Sequence, residues 1–227
     1  MKQLSSKIGA DFTSEDTVDG IKIEFRVMSV DLAKNKLESH LTFIPSNGLT
    51  TKYSRLSKDL LFNFNYYQKE FKANSTLSSI EITYPILEGS TSYYPFDEFS
   101  TLVEVEIINL EDQTAVPIEL DLKASIASLK FSFNPIDDGN QHQKVILNIG
   151  RPGTVVFFSL FLFIVMWTLS LAVFMLALWT VAFSEERPGA SYLGLGSALL
   201  FALPNLRSTQ PGVPPIGALL DTIGFFW

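Results

Sequence analysis

Between Arg151 and Glu185 the chain carries no charged side chain, and only Thr154, Ser159, Thr168, Ser170, Thr180 and Ser184 in that run are polar. No other feature limits the choice of fold as much. As a helix, residues 154–183 would extend roughly 45 Å, beyond the roughly 30 Å hydrocarbon core of a bilayer, so the stretch reads as a transmembrane helix that tilts or projects at one end. A buried core helix would instead need protein on every side, and the rest of the chain spends its apolar residues elsewhere.

Charge divides the chain at the same place. Of 17 basic and 24 acidic side chains, only Glu185, Glu186, Arg187, Arg207 and Asp221 lie beyond residue 153. The acidity therefore belongs to the first part, which argues against nucleic acid or anionic lipid as the main partner. The chain has 0 cysteines, which excludes a disulfide frame, a thiolate nucleophile and zinc–thiolate ligation. The first part must stand on a hydrophobic core, and roughly 150 residues suffice for one.

That part alternates with a period of two. Ile21, Ile23, Phe25 and Val27 interleave with Lys22, Glu24 and Arg26; Leu60, Phe62, Phe64 and Tyr66 interleave with Leu61, Asn63 and Asn65; Ile80, Ile82 and Tyr84 repeat the pattern. The same rhythm runs through LESHLTF, LVEVEII, PIELDL, LKFSF and KVILNI, with PSNG, LEGS and IDDGN as turn formers between them. About eight short strands of this kind predict an antiparallel β-sandwich-like domain over residues 20–150. Residues 1–19 lack periodicity and read as a loose lead.

Residues 151–227 read as a membrane region. After the helix at 154–183, SEERPG is a turn and 190–206 is a second span, in which Ala190, Gly194, Ala198 and Ala202 form a stripe of small residues open to close approach by another helix. Pro211, Gly212, Pro214 and Pro215 cannot continue a helix and mark a re-entry turn. Residues 216–227 are too short to cross a bilayer, so they are read as part of a third helix. Within this apolar context Arg207 and Asp221 stand out, since a carboxylate in a membrane segment costs about 2.5–3.5 kcal/mol and seeks protein, water or a countercharge. The two flank the re-entry turn, and the expectation is that they meet. The alternative leaves Arg207 among headgroups and Asp221 near the interface.

Orientation is weakly marked. Asn74 opens the sequon NST, an acceptor for glycosylation if the β domain faces a secretory lumen. That tips the reading toward an extracellular or luminal β domain, without naming an organelle. The N-terminal sequence lacks the apolar core of a signal peptide.

The segments MSVDLAKNKLESHLTFIPSNGL, YYPFDEFSTLVEVEI, FLFIVMWTLSLAVFML and ALLFALPNLRSTQPGVPPIGALLDTIGFFW together resemble the family catalogued as domain of unknown function 4436, from about residue 20 to the C-terminus. The resemblance implies an N-terminal membrane helix, a β domain and three further helices. Against that layout the chain looks truncated at both ends. Tyr94, Pro95, Phe96 and Asp97 are also similar to the Phe-Pro-Phe-Asp turn of pentameric ligand-gated channels, which rests on the membrane domain. Four strand candidates follow the turn here, and the last runs through Arg151 and Pro152 into the long helix. The missing flanking cysteines, the length of that helix and the lack of room for a fourth helix depart from the channel pattern. As a plain β turn, the same residues would have Asp97 bonding nearby backbone.

Nothing in the sequence assembles an enzyme. His40 and His142 have no Ser or Cys that the pattern places beside them, and DDGN at 137–140 lacks the acidic residue that would complete a calcium loop. Glu104 and Glu106 share one strand face, which alternation makes the solvated one. No catalytic, cofactor or metal residue is assigned. The chain is expected to be a non-enzymatic integral membrane protein for recognition, signalling or scaffolding, with the lipid bilayer as partner and a homo-oligomer or another membrane protein beside it. A channel-like oligomer is the alternative, and a membrane-bound enzyme the third reading.

Overall fold

The computed structural model describes residues 4–9, 20–51, 55–65, 67–136, 143–183 and 190–224. They form two compact units: Met1–Gly89 with Glu98–Gly150, and Ser90–Asp97 with Arg151–Trp227.

The first unit contains, among the described residues, strands β1 (Leu4–Gly9), β2 (Ile21–Asp31), β3 (Lys36–Pro45), β4 (Leu60–Phe64), β5 (Tyr67–Phe71), β6 (Ile80–Pro85), β7 (Glu88–Gly89), β8 (Phe99–Asn109), β9 (Ile118–Ala124), β10 (Lys130–Ile136) and β11 (Gln143–Gly150). They build two sheets, ordered β1-β9-β2-β3-β6 and β10-β11-β8-β4-β5, with β7 paired to β8. Alternation sets the faces: Ile21, Ile23 and Phe25 are fully buried, as are Leu60 and Phe62, while Arg26 is exposed. The inner faces of the two sheets share one core, in which Phe43 of β3 meets Phe62 of β4 edge-on at 4.9 Å and Phe71 of β5 closes on Phe62 at 5.0 Å.

Three features depart from the expected antiparallel layout. Leu4–Gly9, assigned above to a loose lead, is β1, paired along its length with β9. It carries no hydrophobic alternation because its place comes from backbone bonds to a strand far along the chain. Second, β2 and β9 pair in parallel, from Ile21 opposite Ile118 to Arg26 opposite Lys123. Such a ladder joins distant segments and leaves no local signature. Charges line its outer side: Lys22 bonds Glu119 at 3.2 Å, and Lys123 reaches both Glu24 and Asp121 at 3.1 Å. Third, polar β5 and two-residue β7 raise the strand number above eight, and β7 occupies part of what was read as the turn LEGS. Gly89 ends β7 at φ 122, where a Cβ would meet the Phe99 ring and the Glu98 carbonyl.

The second unit contains α1 (Gly153–Phe183), α2 (Ala190–Ser208) and α3 (Leu219–Gly224). α2 runs past its expected end at residue 206 and includes Pro204. α3 starts three residues later than expected, after Pro214 and Pro215. Val155, Ser159, Leu162 and Met166 are the buried stripe of α1, spaced four, three and four residues apart as one helix face requires. Thr168 and Thr180 return their hydroxyls to the carbonyls of Ile164 and Leu176, so these polar groups are satisfied within the helix. On the expected small-residue stripe of α2, Gly194 and Ala198 are exposed, and a Cβ on Gly194 would meet nothing within 4 Å, so no described helix of this chain lies against those two residues. The small residue against α1 is Gly224, where a Cβ would run into the Phe163 ring.

In the β core, Tyr84 is fully buried against Phe25, and its hydroxyl has no hydrogen-bond partner among the described residues. An orphaned buried hydroxyl costs about 1–3 kcal/mol. Tyr84→Phe is therefore expected to raise the stability of the full chain in detergent, whereas Phe62→Ala should lower it by about 3–5 kcal/mol. Denaturant titration followed by tryptophan-independent circular dichroism in the β region checks both signs.

Candidate functional site

The loop Ser90–Asp97 comes from the β half of the sequence but belongs to the helical unit. Ser90 caps its short 3-10 turn at Thr91–Tyr93 by accepting the Ser92 N–H at 3.2 Å. The Tyr94–Pro95 peptide is cis. Tyr94 is fully buried: its hydroxyl shares a hydrogen bond with Ser159 Oγ of α1 at 2.7 Å and donates to the Pro211 carbonyl at 3.1 Å. One side chain thus joins the loop, the long helix and the turn after α2.

Three residues on, Asp97 is 1 % exposed and receives a forked contact from Arg151, with Nη2 donating to Oδ2 at 2.9 Å and Nε to Oδ1 at 3.0 Å. The same guanidinium lies over the Tyr94 ring, 5.2 Å from its centroid. A planar donor fork fits both a carboxylate and a ring face, which a lysine would not do. Burial pushes the Tyr94 hydroxyl above its ordinary pKa, against the opposing pull of Ser159 and Arg151, so it remains a neutral donor through the physiological range.

Of the four residues singled out in this turn, Tyr94, Pro95 and Asp97 are buried and Phe96 is 57 % exposed. Of the two aromatic residues among the four, Tyr94 is the one packed within the helical unit, and Phe96 is open. Among the described residues Asp97 binds Arg151 rather than the nearby backbone of a free β turn. Arg151 went unremarked in this role, because its signal lies in the strand register and not in the sequence pattern. In the β8–β11 ladder Phe99 stands opposite Ile149, and continuing that register by two residues sets Asp97 opposite Arg151.

The re-entry turn is held by a second pair. Arg207, in the last turn of α2, donates from Nε to Asp221 Oδ1 at 2.5 Å and from Nη2 to Oδ2 at 2.7 Å, and also to the Pro214 carbonyl at 3.0 Å. Asp221 Oδ2 accepts the N–H groups of Gly217 and Ala218 at 3.0 and 3.2 Å, reaching back over the start of α3 as an acid at the third helical position does. The structure thus brings Arg207 and Asp221 together, and adds the backbone partners that pattern alone did not reveal. Pro211, Gly212 (φ 68), Pro214 and Pro215 form the segment between them.

Other singled-out residues lie apart from this cluster. Glu104 pairs with Lys144 at 3.7 Å, and Glu106 accepts from Asn63 at 3.2 Å, in a cleft of about 560 Å3 on the six-stranded sheet. His40 contacts Thr42 within β3. Asn74 is exposed, with its side-chain oxygen accepting from Arg55 at 3.2 Å. His142, Tyr66, the DDGN segment 137–140, the turn 184–189 and residues 225–227 fall outside the described residues. Among the described residues no group of acidic, His or Cys side chains is arranged to hold a metal.

Residues 11–149 match the model of a family described as a domain of unknown function, DUF4436. The chain belongs to the DUF4436 family. Residues 151–227 match a second model, DUF8686, also described as a domain of unknown function. The LPNLR…PGVPPIG series, taken above as part of the DUF4436 resemblance, therefore falls under the second model. No curated protein matches the chain. In this DUF4436 chain the division between models falls at the Gly150–Arg151 link between the two compact units.

Each pair allows a double-mutant cycle. Arg207→Gln and Asp221→Asn should each lower melting stability in detergent by more than the two together, because a single change strands a charge; the upper bound, for a fully buried pair, is about 3–5 kcal/mol. Additive losses would show the charges acting independently. For the Asp97–Arg151 pair, Asp97→Asn should cost about as much and open Ser90–Asp97 to protease, read as cleavage in the loop.

Proposed function

We propose that the chain is an integral membrane protein whose β-sandwich-like domain is carried by helices in the bilayer, and whose role is non-enzymatic: recognition, signalling or scaffolding at a membrane surface. One observation carries the membrane reading. α1 is 31 residues long, uncharged, and leaves large apolar side chains open along its length, with Phe157 73 %, Trp179 66 % and Phe183 72 % exposed. In water such a surface would aggregate, while in hydrocarbon it is the favourable one. About 20 apolar residues span a bilayer, so 31 suffice with tilt or overhang. Thr168 and Thr180 suit that solvent, since their hydroxyls are already bonded within the helix.

The β domain is assigned to the extracellular or luminal side on the strength of Asn74, which sits exposed in a turn with φ 65, where a glycosyl group has room. A channel-like oligomer is the second reading, favoured by the Asp97–Arg151 pair, which fastens the turn to the two residues that precede α1. A membrane-bound enzyme has no comparable observation in its favour.

Expression in microsomes tests topology. Asn74 should acquire a glycan that is lost in Asn74→Gln, and the chain should resist alkaline extraction. An unmodified Asn74, with a sequon introduced beyond α1 modified instead, would reverse the orientation. Release of the chain by alkali would overturn the membrane reading.

A further inference from the structure

We propose that the loop Ser90–Asp97 is a lipid anchor, with Tyr93 and Phe96 seated in the headgroup and glycerol zone of the bilayer beside the first turns of α1. This rests on the membrane reading of α1 and goes beyond it, since it assigns a lipid-contacting role to residues of the β half of the sequence. Three observations carry it.

The first concerns depth. Tyr94 is bonded to Ser159, six residues beyond Gly153 and so about 9 Å along the helix from its start. That bond, with the one to the Pro211 carbonyl, holds the loop alongside α1 where the exposed phenylalanines begin, at Phe157, Phe158 and Phe161.

Exposure is the second. Tyr93 and Phe96 flank buried Tyr94 and Pro95, yet they are 63 % and 57 % exposed. The Phe96 N–H bonds the Tyr93 carbonyl at 2.8 Å, so the two rings belong to one tight turn rather than to separate loose segments. Pinning the middle of the loop while leaving its two flanking rings open suits a surface that receives those rings.

The third is charge. Ser90–Phe96, STSYYPF, has no acidic or basic side chain. The first charge after it, Asp97, is neutralised by Arg151 and buried with it. What the loop offers is hydroxyls and aromatic rings, the combination that partitions to the membrane–water interface, where an amphipathic ring has an apolar body and a wet edge. A soluble protein partner would more readily be met by a rim of charge around such rings.

The chain has no cysteine, so single-cysteine probes report one position each. Tyr93→Cys, Phe96→Cys, Phe174→Cys and Glu81→Cys variants of the full chain would be labelled with the fluorophore NBD and placed in phosphatidylcholine vesicles containing lipids with a nitroxide either near the headgroup or near the chain terminus. NBD at 93 and 96 should lose emission to the shallow nitroxide more than to the deep one. At 174, about 22 Å along α1 from Ser159 and so within the hydrocarbon, the deep nitroxide should quench more, and at 81, on an exposed strand position, neither should act. Quenching at 174 without quenching at 93 or 96 overturns the anchor while the spanning helix stands. Blue-shifted but unquenched emission at 93 and 96 also overturns it, in favour of a protein cover. Absence of quenching at 174 removes the membrane reading itself.

Discussion

The buried pair of Asp97 and Arg151 is the contact on which the helical unit's hold on Ser90–Asp97 depends. Each residue stands where the polypeptide passes from one compact unit to the other, at the Asp97–Glu98 and Gly150–Arg151 links. Their side chains meet at 2.9 Å with almost no solvent access. Two opposite charges withdrawn from water are tolerable only when each satisfies the other, so the pair leaves few other placements for these two points of the chain. The Tyr94 ring beneath the guanidinium, with its hydroxyl on Ser159 and Pro211, extends that restriction to α1 and to the turn after α2. Ser90–Asp97 belongs with the helices for this reason, although strands precede and follow it.

The Arg207–Asp221 pair works by the same physics on a shorter scale. Three prolines deprive the segment between α2 and α3 of helical hydrogen bonding, and the carbonyls and amides so released need partners. Arg207 supplies one for Pro214, while Asp221 supplies one for Gly217 and Ala218. In the proposed bilayer setting unsatisfied backbone would be especially costly, and the pair reconciles an irregular turn with an apolar surround. The hydroxyls of Thr168 and Thr180 meet the same demand inside α1.

With the rings of Tyr93 and Phe96 placed in lipid, the proposed anchor gives the loop two tasks. Its buried residues bind helix and turn, and its exposed ones meet the interface. A displacement of the bilayer surface relative to α1 would then be felt at Asp97, the last residue of the loop.

Much of this was legible from residue order. Alternation in Ile21–Val27, Leu60–Phe64 and Ile80–Tyr84 named the inward faces, because a strand with one dry side cannot slip by a residue without exposing its core. The uncharged run after Arg151 marked α1, and the isolated charges Arg207 and Asp221 were expected to meet, with separate placements at the membrane surface as the alternative. Leu4–Gly9 and the parallel β2–β9 ladder were not legible: backbone bonds between remote segments do not depend on which side chains are present. Nor was the role of Arg151, whose partner is 54 residues away in sequence and becomes its neighbour only through the register of β8 and β11. The sequence by itself determined which residues avoid water, because that preference is local to each side chain. That Asp97 answers Arg151, and to which unit Ser90–Asp97 belongs, only the tertiary structure decided, because both depend on contacts between residues far apart in the chain.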